Sequence, residues 1–378
     1  MKVPLLDLRR DTSLDPALTA AFTRVLESGR YILGPEVERF ETACAEKIGV
    51  EHAIGVSSGT DALLLALMAL DIGPGDEVLC PTYTFFSTAG SVARLGATPV
   101  FVDCDLWTFN VDPVDLERRV TKRTKAMIPV HLFGRCADMD AVLAVARASD
   151  IPVIEDAAQS LGSTTRLAGE WRHAGAMGDF GTFSFYPSKN LPAMGDAGLV
   201  TVASDELADK ARILRLHGAK PKYHHRLVGG NFRIDALQAA LIGTRLPTMD
   251  EAAAQRRQNA ARYTERFLAR RVAAIEDEAA IVLPAITEGH VVNQFVVRFP
   301  GEERDRVRQH LKDRGVGSEV YYPVPMHLQD CFAPFIKGDN RLPHAERCAR
   351  ETLALPVFPG LREDEIDYVV DTLVDAVS

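Results

Sequence analysis

The chain has 378 residues, enough for two or three domains, and its 47% hydrophobic and 25% charged residues are typical of globular proteins. This composition excludes a disordered chain, a collagen-like repeat and a small disulfide scaffold. The net charge of −9 disfavours a nucleic-acid-binding protein, which usually carries an excess of basic residues. The longest wholly apolar run, at 62–70, is far shorter than the roughly 20 residues of a membrane span, and the N-terminus lacks the apolar core of a signal peptide. We therefore expect a soluble, cytoplasmic protein that contacts neither nucleic acid nor membrane.

The first 156 residues alternate short β-branched runs with helical patterns. Strands are predicted at 53–56, 77–80, 99–103, 125–130 and 152–155, and helices at 60–70, 85–95 and 137–148. A further helix is predicted after Asp112, which caps it, with Pro113 in its first turn. The alternation predicts an α/β fold with a mostly parallel central sheet and helices on both faces.

The pattern changes after residue 156. The segments FGTFSFYPSKN and GLVTV predict two closely linked strands, with antiparallel pairing open to them, and helices are predicted at 204–217, 235–246 and 251–270. From residue 273 the alternation weakens, and helices are predicted at 303–314 and from 363. We predict a large domain at 1–250, with an N-terminal arm, and a smaller α+β domain at 251–378.

Lys189 differs in setting from the other nine lysines. It follows the aromatic run Phe183 to Tyr186 and precedes a glycine-containing loop. Desolvation among aromatic side chains favours the neutral amine, which is a nucleophile able to form a Schiff base. The alternative is a lysine at a strand end that points to solvent.

Two further segments are candidates for binding a ligand. Asp156 ends a buried strand, where open α/β sheets bind ligands, so it is suited to hold a protonated ring nitrogen; the alternative is an acid that caps a loop. Ser57, Ser58, Gly59 and Thr60 join a strand to an apolar helix, a turn that suits a phosphate but that an ordinary N-cap also explains. A phosphate cradle, a carboxylate for a ring nitrogen and a Schiff-base lysine are together what pyridoxal 5'-phosphate needs.

At these residues the chain resembles the DegT/DnrJ/EryC1/StrS family of sugar aminotransferases, which have the fold of type I pyridoxal-phosphate enzymes. The resemblance runs nearly end to end. It rests on YILGPEV at 31–37, SGTDAL at 58–63, PGDEV at 74–78, EDAAQS at 155–160, SFYPSKNL at 184–191, GDAG at 195–198, and NFRIDALQAA at 231–240.

The resemblance implies a role for each matching residue. Lys189 would carry the Schiff base and then move the proton, and Asp156 would pair with the ring nitrogen. The other implied cofactor contacts are Phe85 over the ring, Gln159 near the phenolic oxygen, Ser58, Gly59, Thr60 and Ser184 at the phosphate, and Asn231 from the partner subunit. The family also implies a homodimer with shared active sites, glutamate as amino donor, and pyridoxamine phosphate as the intermediate form of the cofactor.

One branch of the family matches best, namely the enzymes that aminate the 3-keto group of UDP-N-acetylglucosamine derivatives. The best known of these act on the uronic acid in O-antigen pathways, so a role in polysaccharide and lipopolysaccharide synthesis is implied. KYHHRLVGGN at 222–231 carries this likeness, and the basic residues at 220–226 suit a diphosphate, or form a solvated loop. Arg233, Tyr321, Tyr322 and His327 are candidate substrate contacts, with a subunit-interface ion pair open for Arg233 and a buried structural role open for His327.

Two departures from this branch bear on the substrate. LPAM at 191–194 replaces a glycine-containing sequence, and Tyr321 stands where some relatives that act on uronates have histidine. An aminotransferase for a dTDP- or GDP-linked 3- or 4-ketosugar and a non-enzymatic regulator that binds the cofactor remain alternatives. No metal site is expected, because neither the histidines nor the six scattered cysteines show metal-ligand spacing. The Asp103-Cys104-Asp105 run is interpreted as a loop.

Overall fold

The computed structural model describes residues 1–301, 303–336, 338 and 340–377. Two helices that the sequence analysis missed come before the first strand: α1, Asp15–Ser28, and α2, Pro35–Ile48. Each has a proline in its first turn and ends at a glycine in the left-handed conformation, Gly29 or Gly49. Proline at the start and glycine at the end are ordinary helix boundaries, so the signal was present in the sequence.

The alternating pattern predicted up to residue 156 is confirmed. The elements in chain order are β1 His52–Val56, α3 Gly59–Ala69, β2 Glu77–Pro81, α4 Phe86–Arg94, β3 Thr98–Val102, α5 Pro113–Arg118, β4 Thr124–Met127, α6 Met139–Ser149 and β5 Ile154–Asp156. The Asp112 carboxylate accepts from the Val114 N–H at 2.9 Å and caps α5 as predicted.

The next stretch holds a hairpin that was not predicted. It consists of β6, Thr164–Leu167, and β7, Glu170–His173. After it come β8 Phe180–Ser184, β9 Gly198–Val202, α7 Asp205–Leu214, α8 Ala236–Arg245 and α9 Met249–Ala269. The antiparallel pairing of β8 with β9 is confirmed.

Seven strands form the central sheet, in the order β3-β2-β4-β5-β8-β9-β1. Parallel bridges from Met127 to Val153 and from Val130 to Asp156 join β4 to β5, and only β9 runs antiparallel to its neighbours. Alternate residues of the strands pack on opposite faces: Ile54 packs with α3 and α7, while Ala53 packs with α1, α2 and α8. The mostly parallel sheet with helices on both faces is confirmed.

The C-terminal part has its own sheet and core. Its elements are β10 Ala273–Ile275, β11 Ile281–Leu283, β12 Phe295–Arg298, α10 Arg304–Asp313, α11 Pro343–Glu351, β13 Thr352–Leu355 and α12 Glu363–Val377, with the strands in the order β10-β11-β12-β13. Val3, near the N-terminus, packs into this second core beside Tyr263 and Phe267 of α9. The domain boundary at residue 250 stays a prediction. None of the helices within the described residues is long and apolar enough to cross a bilayer.

Candidate active site

Asp156 is fixed at the carboxyl end of β5 by hydrogen bonds of both its backbone and its side chain. Its N–H donates to the Pro129 carbonyl at 2.9 Å, and its carbonyl accepts from the His131 N–H at 3.0 Å. The Thr88 hydroxyl donates to Oδ2 at 2.8 Å, and the Ala158 N–H donates to Oδ1 at 3.2 Å. The carboxylate is therefore held in one orientation, and its pairing with a ring nitrogen stays a prediction.

The protonation of Asp156 reflects opposing influences. Burial raises the pKa of the Asp156 carboxyl, while the bonds from Thr88 and Ala158 and the charges of Lys189 and His131 act to lower it. Only 6% of the residue surface is exposed. A buried carboxylate of this kind is stabilised by a cation placed against it, and a protonated ring nitrogen is such a group.

A second buried acid, Glu155, lies beside Asp156 in sequence and was missed by the sequence analysis. Its carboxylate accepts three backbone N–H groups from residues 175–178, at 2.7 to 2.8 Å. The Nδ1 atom of His131 accepts from the Ala137 N–H at 3.0 Å, so Nε2 carries the proton that is donated to Glu155 at 2.8 Å. Neighbouring strand residues point to opposite faces of the sheet, so the hydrogen bonds of Glu155 fix the end of β5 from the face opposite to Asp156.

Lys189 lies in the turn that follows β8, and its backbone N–H donates to the Tyr186 carbonyl at 2.8 Å. Burial lowers the pKa of the Lys189 amine to about 8, and the Asp156 carboxylate opposes this by raising it. Lys189 also lowers the pKa of Asp156, so the two groups are close enough to interact. The lowered pKa increases the fraction of neutral amine near neutral pH, and the neutral amine is the nucleophile.

The predicted phosphate cradle is the N-terminus of α3. The Ser58 hydroxyl accepts from the Asp61 N–H at 3.1 Å and caps the helix, and the Ser57 hydroxyl donates to the Asp61 carboxylate at 2.6 Å. The Thr60 hydroxyl lies 2.7 Å from that of Ser87, at the start of α4. The structure thus brings together the N–H groups and hydroxyls that an anion requires at a helix N-terminus.

Two glycines let this helix end approach the central sheet. A Cβ atom at Gly59 would lie 2.7 Å from the Cβ of Ser184, and one at Gly198 would lie 2.4 Å from the Ser58 carbonyl oxygen. No larger residue fits at either position without moving the backbone. The close approach places Ser184 against the N-terminus of α3, and a contact of Ser184 with a phosphate stays a prediction.

An amide and two aromatic rings line the site from the other side. The Gln159 Oε1 atom accepts from the Phe133 N–H at 2.6 Å, and its Nε2 atom donates to the Tyr322 hydroxyl at 3.1 Å. The Phe85 ring lies 6.1 Å from the Tyr322 ring and is 56% exposed, so one of its faces is open. Burial raises the pKa of Tyr322, which keeps its hydroxyl protonated.

The candidate substrate residues fall into two groups. Asn231 is exposed and Arg233 half-buried, and both line a pocket shared with Ser57. The Nε atom of Arg233 is buried without a hydrogen-bond partner. The role of Asn231 in the active site of a partner subunit stays a prediction.

Tyr321 and His327 are held by packing and hydrogen bonds within the chain. The Tyr321 carbonyl accepts from the Tyr83 hydroxyl. The buried His327 ring contacts the Thr82 hydroxyl at 2.7 Å and the Glu346 carboxylate at 3.4 Å, and burial lowers its pKa. Both ring nitrogens therefore have protein partners, and a substrate contact of His327 stays a prediction.

The basic segment at 220–226 and the departing loop at 191–194 also have defined positions. The side chains of 220–226 surround an exposed pocket, where Lys220 contacts Asp209 at 3.2 Å. The loop 191–194 is tied to α8 by Gln238, whose amide bonds both the N–H and the carbonyl of Met194, at 3.0 and 2.9 Å.

The Asp103-Cys104-Asp105 run lies directly after the end of β3. The Asp103 carboxylate accepts from backbone N–H groups at the start of α11, so it serves as a cap. Within the described residues, one exposed group, Glu51, His52 and Asp205, has potential ligand atoms within 4.8 Å of one another. It lies at β1 and α7.

Comparisons with known proteins place these features in context. A sequence model of the DegT/DnrJ/EryC1/StrS aminotransferase family matches residues 12–374. The chain is 44% identical to a pleiotropic regulatory protein of Geobacillus stearothermophilus, with 99% of this chain and 98% of the relative covered. It is 41% identical to the UDP-N-acetyl-3-dehydro-alpha-D-glucosamine 3-aminotransferase of Acidithiobacillus ferrooxidans, with 98% and 97% covered.

The chain has similar sequence identity and coverage to proteins of Streptomyces venezuelae. The dTDP-3-amino-3,4,6-trideoxy-alpha-D-glucose transaminase of that organism is 40% identical, with 98% of this chain and 95% of the relative covered. The crystal structure of S. venezuelae DesV in complex with a ketimine intermediate superposes with a TM-score of 0.92, at 40% identity, covering 100% of this chain and 99% of that one.

Proposed function

Because the chain belongs to the DegT/DnrJ/EryC1/StrS aminotransferase family, we propose that it transfers the amino group of glutamate to C3 of a UDP-linked 3-keto-N-acetylglucosamine derivative. The predicted family, fold class and pyridoxal phosphate cofactor are confirmed. The class of enzyme, a sugar-nucleotide aminotransferase, is confirmed as well. The nucleotide, the sugar, the keto position and the amino donor are the proposed part.

The observation that carries the proposal is that Asp156 and Lys189 each shift the pKa of the other, while the Thr88 hydroxyl that bonds Asp156 lies next in sequence to Ser87, which contacts Thr60 at the start of α3. When bound, pyridoxal phosphate withdraws electrons from the amino-bearing carbon through its protonated ring nitrogen. The residues present fit that group. Asp156 would hold the ring N–H, Lys189 would supply the amine, and the N-terminus of α3 would bind the phosphate where Gly59 leaves room for it.

The protein residues would divide the work as follows. Asp156, held by Thr88, keeps a negative charge against the ring nitrogen. Lys189, whose pKa is about 8, is able to take a proton from the amine-bearing carbon of glutamate and to return one to the sugar carbon. Phe85 would cover one face of the ring and exclude water from it.

The candidate substrate residues include cationic side chains, which support an anionic sugar nucleotide as the substrate. The Nε atom of Arg233 lacks a partner, and a guanidinium group is suited to a phosphate or a carboxylate. The exposed basic side chains at 220–226 are suited to a diphosphate. Relatives of nearly equal identity are named for UDP-linked and dTDP-linked sugars, so the similarity alone does not choose the nucleotide.

A substrate panel tests the proposal. The purified holoenzyme is given glutamate and, in turn, UDP-linked 3-keto-N-acetylglucosamine, its uronic acid, and dTDP- and GDP-linked ketosugars, and kcat/KM and the product NMR spectrum are measured. We expect the highest kcat/KM for one of the UDP-linked 3-ketosugars and an amino group at C3. A higher value for a dTDP- or GDP-linked ketosugar would overturn the proposed substrate.

We further propose that the protein acts in the cytoplasm as a homodimer, in the synthesis of a cell-surface polysaccharide such as lipopolysaccharide. Large apolar side chains on and after α1, Phe22, Leu26 and Ile32, are about half exposed, which supports cover by a second copy. Mixing the inactive variants Lys189→Ala and Asn231→Ala tests the shared site. Hybrid dimers should regain activity, and mixtures that stay inactive while hybrids form would contradict sharing.

A regulator that binds the cofactor is the second candidate, because one relative at 44% identity is named a pleiotropic regulatory protein. A regulator of this kind needs no turnover. If the holoenzyme changes neither its spectrum nor its cofactor form when glutamate is added, the regulatory function is favoured over catalysis.

A further inference from the structure

A pocket beside the Lys189 turn contains two arginines that form no salt bridge within the described residues. The pocket lies between residues 6–18, the loop 187–192, the junction of α8 with α9, and Phe358. Its volume of about 170 Å³ suits a small metabolite rather than a nucleotide sugar. Arg245 at the end of α8 and Arg256 on α9 both line it.

Arg256 is the more unusual of the two. Only 6% of the residue surface is exposed, and its one hydrogen bond in the described residues runs from Nη1 to the Asn293 carbonyl at 3.2 Å. Burial lowers the pKa of the guanidinium to about 10, and no carboxylate of the described residues opposes this shift. A buried, unpaired cation is costly, so its presence calls for an anion.

Arg245 extends the same positive region. Its Nε atom is buried without a hydrogen-bond partner, and burial lowers the pKa of the group. Asp15 acts on it only through space, because the Asp15 carboxylate is bonded to Arg9 at 2.8 Å. Among the described residues, neither Arg245 nor Arg256 has a carboxylate within salt-bridge distance.

The two other arginines at this pocket are paired with acidic residues. Arg10 is bonded to Glu365 at 2.9 Å and lies near Asp7 at 3.4 Å. The Asp11 carboxylate accepts from the Ser13 N–H at 2.8 Å. The pocket lining has an excess of positive charge, with basic Arg9, Arg10, Lys189, Arg245 and Arg256 against acidic Asp7, Asp11 and Asp15. Of these arginines, Arg245 and Arg256 form no salt bridge within the described residues.

The pocket also offers an acceptor next to the reacting lysine. Asn190 lines it, and its Oδ1 atom is buried without a partner. Guanidinium donors suit carboxylates, and an amide oxygen suits an ammonium group. This combination fits the zwitterion of an amino acid better than it fits an inorganic anion.

We propose that this pocket binds the amino-acid donor, with Arg256 and Arg245 holding its carboxylates and Asn190 receiving its ammonium group beside Lys189. The inference rests on the proposed function, because it assigns residues to the glutamate half of the reaction. Arg256 is the anchor, since it is the more buried of the two cations and the one with no acidic group near it.

The test uses the holoenzyme of Arg256→Gln, with Arg257→Gln as the matched control. Arg257 is the next residue on α9 and carries the same charge, but it lines a different pocket beside Gly162. Arg256→Gln should raise KM for glutamate by at least about tenfold while KM for the ketosugar stays unchanged, and Arg256→Lys should recover part of the loss. Arg257→Gln should leave both constants unchanged.

A second measurement does not depend on turnover. Glutarate has two carboxylates and no amino group, so it binds without reacting. It should raise the Tm of the wild-type holoenzyme, more than acetate does at equal ionic strength, and should not raise that of Arg256→Gln. The Tm shift can still be measured if a variant folds but has too little activity for a KM to be determined.

The outcomes separate the two proposals. No glutarate effect on the wild type, or an equal effect on Arg256→Gln, overturns the pocket and leaves the aminotransferase assignment intact. A glutarate effect that depends on Arg256 in a protein that does not react with glutamate supports a dicarboxylate pocket and overturns glutamate as the donor.

Discussion

The strand-end acids and the loop at 220–226 are built in opposite ways. Asp156 is buried, and each of its carboxylate oxygens accepts a hydrogen bond from the chain itself. The loop is exposed, and its pocket is open to solvent. Under the proposed function, this contrast means that the chain arranges the cofactor side of the site in advance, whereas the loop proposed to bind the sugar nucleotide would be completed by the substrate or by a second copy.

The largest effect is expected at Lys189. Lys189→Ala removes the amine that we propose binds the cofactor and moves the proton, so turnover should fall by at least about 10³-fold. Single-turnover assays with glutamate measure the effect. Lys222→Ala, an exposed lysine of the loop, is the matched control and should react with glutamate at the wild-type rate; retention of most activity by Lys189→Ala would refute the assignment.

Asp156→Asn should lower kcat by about 10²- to 10³-fold, because the preorganised charge at the ring nitrogen is lost. The same variant has a second readout. Asp156 raises the pKa of Lys189, so its removal should shift the midpoint of the pH-dependent uptake of pyridoxal phosphate by the apoenzyme from about 8 to a lower pH. Uptake should rise with pH in both proteins, because only the neutral amine reacts; an unchanged midpoint would contradict the coupling.

Thr88→Val keeps the shape of the side chain and removes the hydrogen bond to Asp156 Oδ2. A hydrogen bond to a charged group contributes about 1.5 kcal/mol or more, so kcat should fall roughly tenfold or more. Thr84→Val, which removes the hydroxyl that contacts Thr88 at 3.0 Å, should have a smaller effect. Equal losses in both variants would indicate packing rather than orientation of the carboxylate.

The smallest effect is expected in the exposed loop. Arg226→Gln should raise KM for the sugar nucleotide by a few-fold, with a loss that shrinks at high salt, because exposed charge pairs are weak and screened. The rate of the half-reaction with glutamate should not change. A loss in that half-reaction would show that the loop also shapes the cofactor side.

The parts of the site that lie within one sequence motif were predictable. The strand-to-helix turn at Ser58, the strand-end acid Asp156 and the lysine after an aromatic strand each have a local signature. Interactions between distant segments were not predictable, because they depend on tertiary packing. His131 is 24 residues from Glu155, and Tyr322 is 163 residues from Gln159.

The same distinction holds for the fold. The βα alternation could be predicted because its hydrophobic periodicity is local. The hairpin of β6 and β7 was missed, since the small residues around it carry no clear alternation. The sequence also could not show that Arg256 lacks a salt bridge within the described residues, because this depends on which side chains the fold places around it.

The absorption spectrum of the holoenzyme tests the central claim most directly. The band of the bound cofactor should fall when glutamate is added and return when a UDP-linked 3-ketosugar follows, whereas Lys189→Ala should not complete this cycle. A band that glutamate leaves unchanged in the wild type, or a complete cycle in Lys189→Ala, would contradict an aminotransferase built on Asp156 and Lys189.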